Sequence, residues 1–211
     1  MKKILVSGVL LLLYSCDLIF IENISDANIE ALSPVNNTAV LAGQIKFSWE
    51  ELEDADTYNI QIASPNFTEA NEIIADTTLA TTSYTRALEE GNYEWRVKGS
   101  NSEYETAYTN NLFSVLLNLT AEELTLLLPE DNSELDAGMI DFSWQKQTGA
   151  DTYYLQIATP DFESTNVFIV DELLTENTFS KELETGTYQW RIKAQNNLSE
   201  TIYKTHTLKI N

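Results

Sequence analysis

The sequence predicts an all-β chain that folds as two tandem antiparallel β-sandwiches, and three observations lead to this prediction. The first is a gap-free repeat, because Ile45-Lys-Phe-Ser-Trp49 returns 95 positions later as Ile140-Asp-Phe-Ser-Trp144. A repeat of this length has the size of a small domain and exceeds a solenoid unit. The other two are a period-two alternation of apolar and polar residues and the lack of helical periodicity in the repeated part.

The alternation marks the individual strands. Tyr93, Trp95 and Val97 share one face, and the charged residues between them share the other. Strands of this kind are buried on one side, which is typical of antiparallel sheets. The other long apolar faces are Ile45/Phe47/Trp49, Tyr58/Ile60/Ile62, Ile140/Phe142/Trp144, Tyr153/Leu155/Ile157 and Tyr188/Trp190/Ile192. Shorter runs lie at 72–75, 81–84 and 108–115, and at 167–170, 177–179 and 203–210.

About seven short strands per copy predict a β-sandwich. Pro34 and Pro129 fall in the first strand, where a residue without an N–H group is tolerated. With a single cysteine in the chain, no disulfide can hold either sandwich together, so aromatic and aliphatic packing must stabilise it.

The repeated residues resemble a known domain family. Each copy has a Trp at the end of its second strand, a Tyr at the start of its third, and a Leu-x-x-Gly-x-Tyr-x-Trp-Arg motif at 88–96 and 183–191. These features resemble the fibronectin type III domain. The resemblance implies a tyrosine corner at Tyr93 and Tyr188, with the ring inside and the hydroxyl bonded to nearby backbone.

The N-terminal segment predicts a membrane anchor. Lys2 and Lys3 precede a short apolar stretch, which has the length of a signal peptide and is too short to span a bilayer. Leu13-Tyr14-Ser15-Cys16 resembles the bacterial lipoprotein box, although Tyr14 is larger than the usual residue there. The resemblance implies lipid attachment at Cys16. The alternative, an uncleaved span through Ile21, would place Asp17 in the bilayer at a cost of about 2.5–3.5 kcal/mol.

The domain boundaries follow from the repeat and the anchor. We predict a signal peptide at 1–15, a lipidated tether at 16–30, domain 1 at 31–116, a linker at 117–125 and domain 2 at 126–211. In the linker, Thr120 and Glu123 have the spacing of a capping box and predict a helical turn. A linker this short and apolar favours a semi-rigid rod.

The charge excludes some partners. With 33 acidic and 12 basic residues, the chain is repelled by phosphate backbones, so nucleic acid is not an expected partner. Solubility explains the excess of acidic residues better than an acidic binding site does.

The residues favour a protein without enzymatic activity. The single histidine, His206, has no nucleophile partner in the motifs and is expected to be a surface strand residue. No Cys/His cluster suggests zinc, and neither a metal nor a cofactor is expected. The acidic run at 50–56 could bind calcium, but domain 2 keeps just Asp151, the counterpart of Asp56, so these two are expected to shape a turn.

Two repeated features lie off the predicted core. Pro65-Asn-Phe67 and Pro160-Asp-Phe162 are expected to form turns whose Phe closes the edge of the core. A polar strip on the outer sheet face is expected to pair with nearby Glu across strands. The alternative is a binding surface for an acidic peptide or a glycan. The strip contains Gln61, Arg96 and Lys98 in domain 1 and Tyr154, Gln156, Arg191 and Lys193 in domain 2.

The function expected from these observations is that of a lipid-anchored bacterial envelope protein, in the outer membrane or at the cell surface. Its domains would serve adhesion, scaffolding or protein–protein interaction. The alternative is a carbohydrate-binding surface lipoprotein of a nutrient-uptake complex, which would need exposed aromatics, with Tyr154 and Tyr104 as the candidates.

Overall fold

The computed structural model describes residues 20–164 and 168–211, and all of its long elements are strands. Cys16 and the start of the predicted strand 167–170 lie outside the described residues. The strands of domain 1 are β1 (Ala31–Ser33), β2 (Thr38–Leu41), β3 (Gly43–Trp49), β4 (Thr57–Ser64), β5 (Glu72–Leu79), β6 (Ser83–Leu88), β7 (Gly91–Ser100) and β8 (Thr109–Leu116). Those of domain 2 are β9 (Leu126–Leu128), β10 (Ser133–Leu135), β11 (Gly138–Trp144), β12 (Thr152–Ala158), β13 (Val170–Leu174), β14 (Thr178–Leu183), β15 (Gly186–Gln195) and β16 (Lys204–Ile210).

Each domain packs a three-stranded sheet on a five-stranded sheet. In domain 1 the strand orders are β1-β3-β6 and β2-β8-β7-β4-β5. In domain 2 they are β9-β11-β14 and β10-β16-β15-β12-β13, which is the same order strand by strand. The prediction of two all-β sandwiches is confirmed.

The first predicted strand of each domain is split between the two sheets. β1 pairs antiparallel with β3, the chain passes Pro34, and β2 then pairs parallel with β8. Domain 2 repeats this at Pro129, between β9 and the parallel pair of β10 and β16. Proline cannot donate to a ladder, so the first ladder ends there. The prediction of purely antiparallel sheets is therefore wrong for β2 and β10. The described residues of each domain form eight strands, where about seven were expected.

The core lies between the sheets and follows the predicted alternation. Trp95 and Trp190 have no exposed surface, and neither have Phe47 and Phe142. Phe47 meets the edge of Trp95 with ring centroids 5.4 Å apart, and Phe142 meets Trp190 at 5.3 Å. Edge-to-face pairs of this kind each contribute about 0.5–1.5 kcal/mol beyond area burial.

The tyrosine corner is present in both domains. The Tyr93 hydroxyl donates to the Glu89 carbonyl at 2.9 Å, and the Tyr188 hydroxyl donates to the Glu184 carbonyl at 2.9 Å. Burial raises the pKa of Tyr93 above its usual value. These bonds confirm the geometry that the resemblance implied.

The segment that precedes each domain packs on that domain. Ile24 and its repeat partner Leu119 are 4% and 0% exposed. The carbonyl of each accepts a backbone N–H three residues later at 3.0 Å. Ile29 belongs to the core of domain 1, so the end of the predicted tether is part of the folded domain. The helical turn expected in the linker is a 3₁₀ turn over Leu119–Ala121, with Asn118 rather than Thr120 as its cap.

One asparagine in each domain holds this incoming segment. The Asn101 side-chain amide donates to the carbonyls of Glu22 and Asp54, both at 3.0 Å. Its repeat partner Asn196 donates to the carbonyls of Leu117 and Gly149 at 2.9 and 3.0 Å. The predicted linker 117–125 is held to domain 2 at its start by this bond to Leu117, and near its end Leu124 belongs to the core of domain 2.

Candidate functional site

The predicted polar strip lies on the outer face of the five-stranded sheet. In domain 1, Gln61 of β4 stands opposite Arg96 of β7 in the strand register. The Arg96 Nε donates to Gln61 Oε1 at 2.8 Å, and Gln61 Nε2 donates to Asp76 of β5 at 2.9 Å. Three neighbouring strands are thus linked by side chains across the face of the sheet.

Two aromatic rings enclose the arginine of the strip. The Arg96 guanidinium carbon is 4.0 Å from the ring centre of Phe67 and 4.3 Å from that of Tyr108. Lys98 Nζ lies 5.3 Å from the same Tyr108 ring and forms a salt bridge of 2.5 Å with Glu105. We call Phe67, Arg96, Tyr108 and Lys98 the cation–π stack of domain 1.

Domain 2 builds the same stack from the repeated residues. The Arg191 guanidinium carbon is 4.1 Å from the ring centre of Phe162 and 4.4 Å from that of Tyr203. Arg191 Nε donates to Gln156 Oε1 at 2.8 Å. Lys193 pairs with Glu200 at 2.6 Å, as Lys98 pairs with Glu105.

Tyr154 is the one strip residue that the two copies do not share. Its ring centre is 5.8 Å from Lys193 Nζ, and its hydrogen bond to Asp171 raises the Tyr154 pKa. The same bond, followed by that from Gln156, lowers the pKa of Asp171. In domain 1 the repeat position is Asn59, whose amide bonds to Asp76 at 3.0 Å and, with Gln61, lowers the Asp76 pKa.

The expected packing of Phe67 and Phe162 is wrong. Both residues lie outside the core clusters and rest on the arginines of the outer face. The turn itself is present, because Asn66 Oδ1 accepts the N–H groups of Thr68 and Glu69 at 2.9 and 2.8 Å. This turn directs the Phe67 side chain toward β7, where its ring packs on the Arg96 guanidinium.

The two cations of the domain 1 stack, Arg96 and Lys98, already have partners within domain 1. Both faces of the Arg96 guanidinium are covered, its edge is bonded to Gln61, and the nearby lysine is paired with a glutamate. Cation–π contacts contribute about 0.5–1 kcal/mol at exposed sites and more where water is excluded. The arrangement therefore stiffens the outer face. The expected cross-strand pairing with Glu describes the lysines but not the arginines, which pair with Gln and aromatic rings.

The other candidates for chemistry are dispersed. Within residues 20–164 and 168–211 no three Asp, Glu, His or Cys side chains are grouped to hold a metal ion. The N–H groups of Asp56 and Asp151 donate to the carbonyls of Ser100 and Gln195 at 2.9 Å and so extend the pairing of β4 with β7 and of β12 with β15. The turn before each Asp is closed by Ala55 and Ala150, whose N–H groups donate three residues back at 3.2 and 3.3 Å. Tyr104 lies apart from the stack and donates its N–H to Asn101.

His206 is less exposed than the sequence suggested. Its ring lies 5.6 Å from Trp190 in an edge contact, and its Nδ1 is 3.0 Å from the Pro129 carbonyl. Because a carbonyl only accepts, Nδ1 carries the proton in this contact. The expected surface strand histidine does lie in a strand, β16, but it is half-buried against Trp190.

Reasoning from the sequence missed two sets of residues. The rings of Tyr108 and Tyr203 complete the stacks, and Asn101 and Asn196 hold the incoming segments. The signal was available, because all four recur at the repeat spacing although none lies on a core face of a predicted strand.

The strand order and the tyrosine corners together decide the domain type. The chain is a tandem of fibronectin type III-like domains. No family model matches the sequence, and no curated protein matches it. Among the solved structures that match are fibronectin type III modules.

Three of these solved structures come from three different proteins. The FN1–FN3 domains of chicken CNTN1 are 13% identical with a TM-score of 0.41, and the match covers 89% of this chain and 64% of that one. A two-domain segment of chicken tenascin is 13% identical with a TM-score of 0.44, over 86% and 97% of the two chains. The fibronectin(III)-like modules of Clostridium thermocellum CbhA are 13% identical with a TM-score of 0.37, over 87% and 94%. The chain thus spans less than two thirds of the CNTN1 segment.

Proposed function

We propose that this chain is a non-enzymatic, lipid-anchored protein of the bacterial cell envelope that presents two domains in a restrained arrangement for protein–protein interaction. The observation that carries the proposal is the joint between the domains. The Leu116 carbonyl accepts a hydrogen bond of 2.8 Å from the Ala42 N–H of domain 1. The carbonyl of the next residue, Leu117, accepts from Asn196 of domain 2 at 2.9 Å.

These two bonds leave no free peptide between the domains. A flexible linker would let the domains move independently, whereas consecutive residues fixed to different domains restrict both backbone and orientation. Further contacts support the joint, because Ser199 Oγ donates to the Leu117 carbonyl at 3.2 Å and accepts the Leu119 N–H at 3.0 Å. Such a joint suits a scaffold or spacer that holds its binding surfaces at a set distance.

The anchor is proposed from the sequence at Cys16. In the part of the chain that the structure describes, no helix is long and apolar enough to cross a membrane. A lipidated cysteine would attach the chain through several acyl chains, each buried CH₂ contributing about 0.8 kcal/mol. Since Glu22 is already held by Asn101, the anchored segment leads almost directly into domain 1.

The carbohydrate-binding alternative draws little support from the strip. One face of the Phe67 and Tyr108 rings is taken up by the Arg96 guanidinium, and the Tyr154 hydroxyl is engaged by Asp171. A glycan platform needs open ring faces that are free to stack on a sugar. The stack is therefore better explained as support for the sheet.

The test uses whole cells that produce either the natural chain or Cys16→Ser. We expect the natural chain to incorporate labelled palmitate and to sediment with membranes, and the variant to lose both properties. Cross-linking in intact cells, followed by purification, should retain partner proteins with the natural chain. A chain that stays membrane-bound without Cys16, or that turns over an ester or glycoside substrate, would contradict the proposal.

A further inference from the structure

The two domains also differ chemically on the outer side of β11. At the outward positions of β11, domain 2 has Met139 and Asp141 where β3 of domain 1 has Gln44 and Lys46. Leu128 likewise takes the place of Ser33. Because the two folds match strand by strand, these differences are not required by the sandwich.

β11 has an open edge at this place. Its pairing with β14 extends from Gly138 to Ser143, while β9 pairs with it at Ser143 and Trp144. In the described ranges, no strand pairs with the β9 side of β11 between Gly138 and Phe142, since the chain leaves for the other sheet at Pro129. An edge with unpaired N–H and C=O groups is a template for an added strand.

A groove of about 450 Å³ runs along this edge. Its apolar lining includes Leu128, Leu135 and Met139, and the residues Leu128 and Met139 are 53% and 67% exposed. Ser133 also lines the groove, but its hydroxyl is buried and has no hydrogen-bond partner in the described part of the chain. The surface that the groove offers to a ligand is therefore mainly apolar.

Three carboxylates border the groove, from Glu130, Asp136 and Asp141. None of the three salt bridges found among the described residues involves them. Asp141 accepts one hydroxyl, that of Ser180, at 2.6 Å. The rim is therefore negatively charged, and none of the described residues that line the groove is basic.

We infer that this edge binds an extended, basic segment of a partner protein as an added strand. Backbone bonds to β11 would supply affinity, and alternating side chains would enter the apolar groove and meet the carboxylates. A second copy of this chain is a poor occupant, because each copy carries a net charge of −21. On β3 of domain 1, Lys46 would repel such a segment, as edge lysines do in other sheets.

The inference deepens the proposed role in protein–protein interaction and rests on it. Its test is carried out in solution, so its failure would leave the anchor and the joint untouched. The probe is a blocked hexapeptide of alternating lysine and valine, titrated into the full-length protein and followed by NMR. A hexapeptide of alternating glutamate and valine is the control peptide.

The variants exchange residues between equivalent positions of the two domains. Met139→Gln with Asp141→Lys gives domain 2 the residues of domain 1, and Gln44→Met with Lys46→Asp gives domain 1 those of domain 2. Each pair already occurs at that position in the same fold, so unfolding temperatures should stay close to that of the natural protein. Spectra that retain their native dispersion would verify that each variant is folded.

We expect the basic peptide to shift the amide signals of residues 138–141 and the acidic peptide to leave them unchanged. The domain 2 variant should bind the basic peptide at least tenfold more weakly, and the domain 1 variant should gain shifts around residues 43–46. Binding should weaken with added salt. Absence of binding, equal binding of both peptides, equal binding by the domain 2 variant, or concentration-dependent pairing of the protein with itself at this edge would each overturn the inference.

Discussion

The two domains build the same arginine–aromatic stack on one outer face and differ in sequence on the other. On the five-stranded sheet, the arginine-to-phenylalanine distances of the two stacks are 4.0 and 4.1 Å, and the arginine-to-tyrosine distances are 4.3 and 4.4 Å. On the three-stranded sheet, Gln44 and Lys46 are replaced by Met139 and Asp141. The agreement marks what the sandwich needs for stability, and the difference marks surface that is free to acquire a binding role.

A second difference concerns the hydrogen bond to the carbonyl of the proline that ends the first strand of each domain. In domain 1 the Trp95 Nε1 donates to the Pro34 carbonyl at 2.9 Å. In domain 2 His206 contacts the Pro129 carbonyl instead, and the buried Trp190 Nε1 has no partner in the described part of the chain. The same carbonyl is thus satisfied by different donors, which shows that the core tolerates a local exchange of polar contacts.

Substitutions at the joint should give the largest difference in stability change between the two domains. Gly149 has a φ of 76°, and a Cβ there would lie 2.6 Å from the Leu117 Cβ. Its repeat partner Asp54 has a φ of 63° and already carries a side chain. We expect Gly149→Ala to destabilise domain 2 by about 2–4 kcal/mol through backbone strain and overlap with the linker.

Chemical denaturation with domain-resolved NMR signals measures this effect. The matched control is Asp54→Gly, which should change domain 1 by less than about 1 kcal/mol. Equal and small effects at the two positions would show that the linker does not press against Gly149.

The stacks should respond alike in the two domains. Arg96→Ala deletes two cation–π contacts and one hydrogen bond. Arg191→Ala deletes the same two contacts, a longer one to Phe168 at 5.9 Å, and one hydrogen bond. We expect each variant to destabilise its own domain by about 2 kcal/mol, with Arg→Lys recovering part of the loss. Hydrogen exchange of amides in β7 and β15 measures the two domains separately. A loss in one domain and none in the other would mean that the stacks are not equivalent.

The tyrosine corners should show a smaller and equally matched effect. Tyr93→Phe and Tyr188→Phe keep the ring and remove a hydrogen bond of 2.9 Å to backbone. The expected loss is about 1 kcal/mol in each domain, measured by denaturant unfolding. Tyr104→Phe serves as the control, because the described contact of that residue uses its backbone N–H and should survive the change.

The sequence predicted the buried half of this molecule better than the exposed half. Alternation at Tyr93, Trp95 and Val97 identifies a core face because sheet geometry ties burial to a period of two. Contacts on the outer face follow no such period. The partnership of Phe67 with Arg96 joins a loop to a strand 29 positions away, and it depends on the direction of a turn that local sequence does not determine. The open edge of β11 depends likewise on where a partner strand ends.

The smallest expected effect concerns the loss of folding stability at acidic pH. The Asp76 pKa is lowered by Asn59 and Gln61, and the Asp171 pKa is lowered by Tyr154 and Gln156. A lowered folded-state pKa stabilises the domain above the unfolded value of about 3.9, and this stability is lost as the pH falls through the folded-state pKa. Asp76→Asn and Asp171→Asn should therefore flatten the decline in stability below about pH 4, as followed by thermal unfolding. Glu51→Gln, in an exposed loop, should leave the decline unchanged.

The restraint that the joint at Leu116 and Leu117 places on the two domains is tested most directly by measuring an interdomain distance. Spin labels at the exposed residues Thr85 and Glu182, in a Cys16→Ser background, report the separation of the domains by pulsed electron resonance. We predict one narrow distance distribution that broadens in Asn196→Ala and stays narrow in the matched variant Asn101→Ala. A broad distribution in the chain with both asparagines intact would contradict the account.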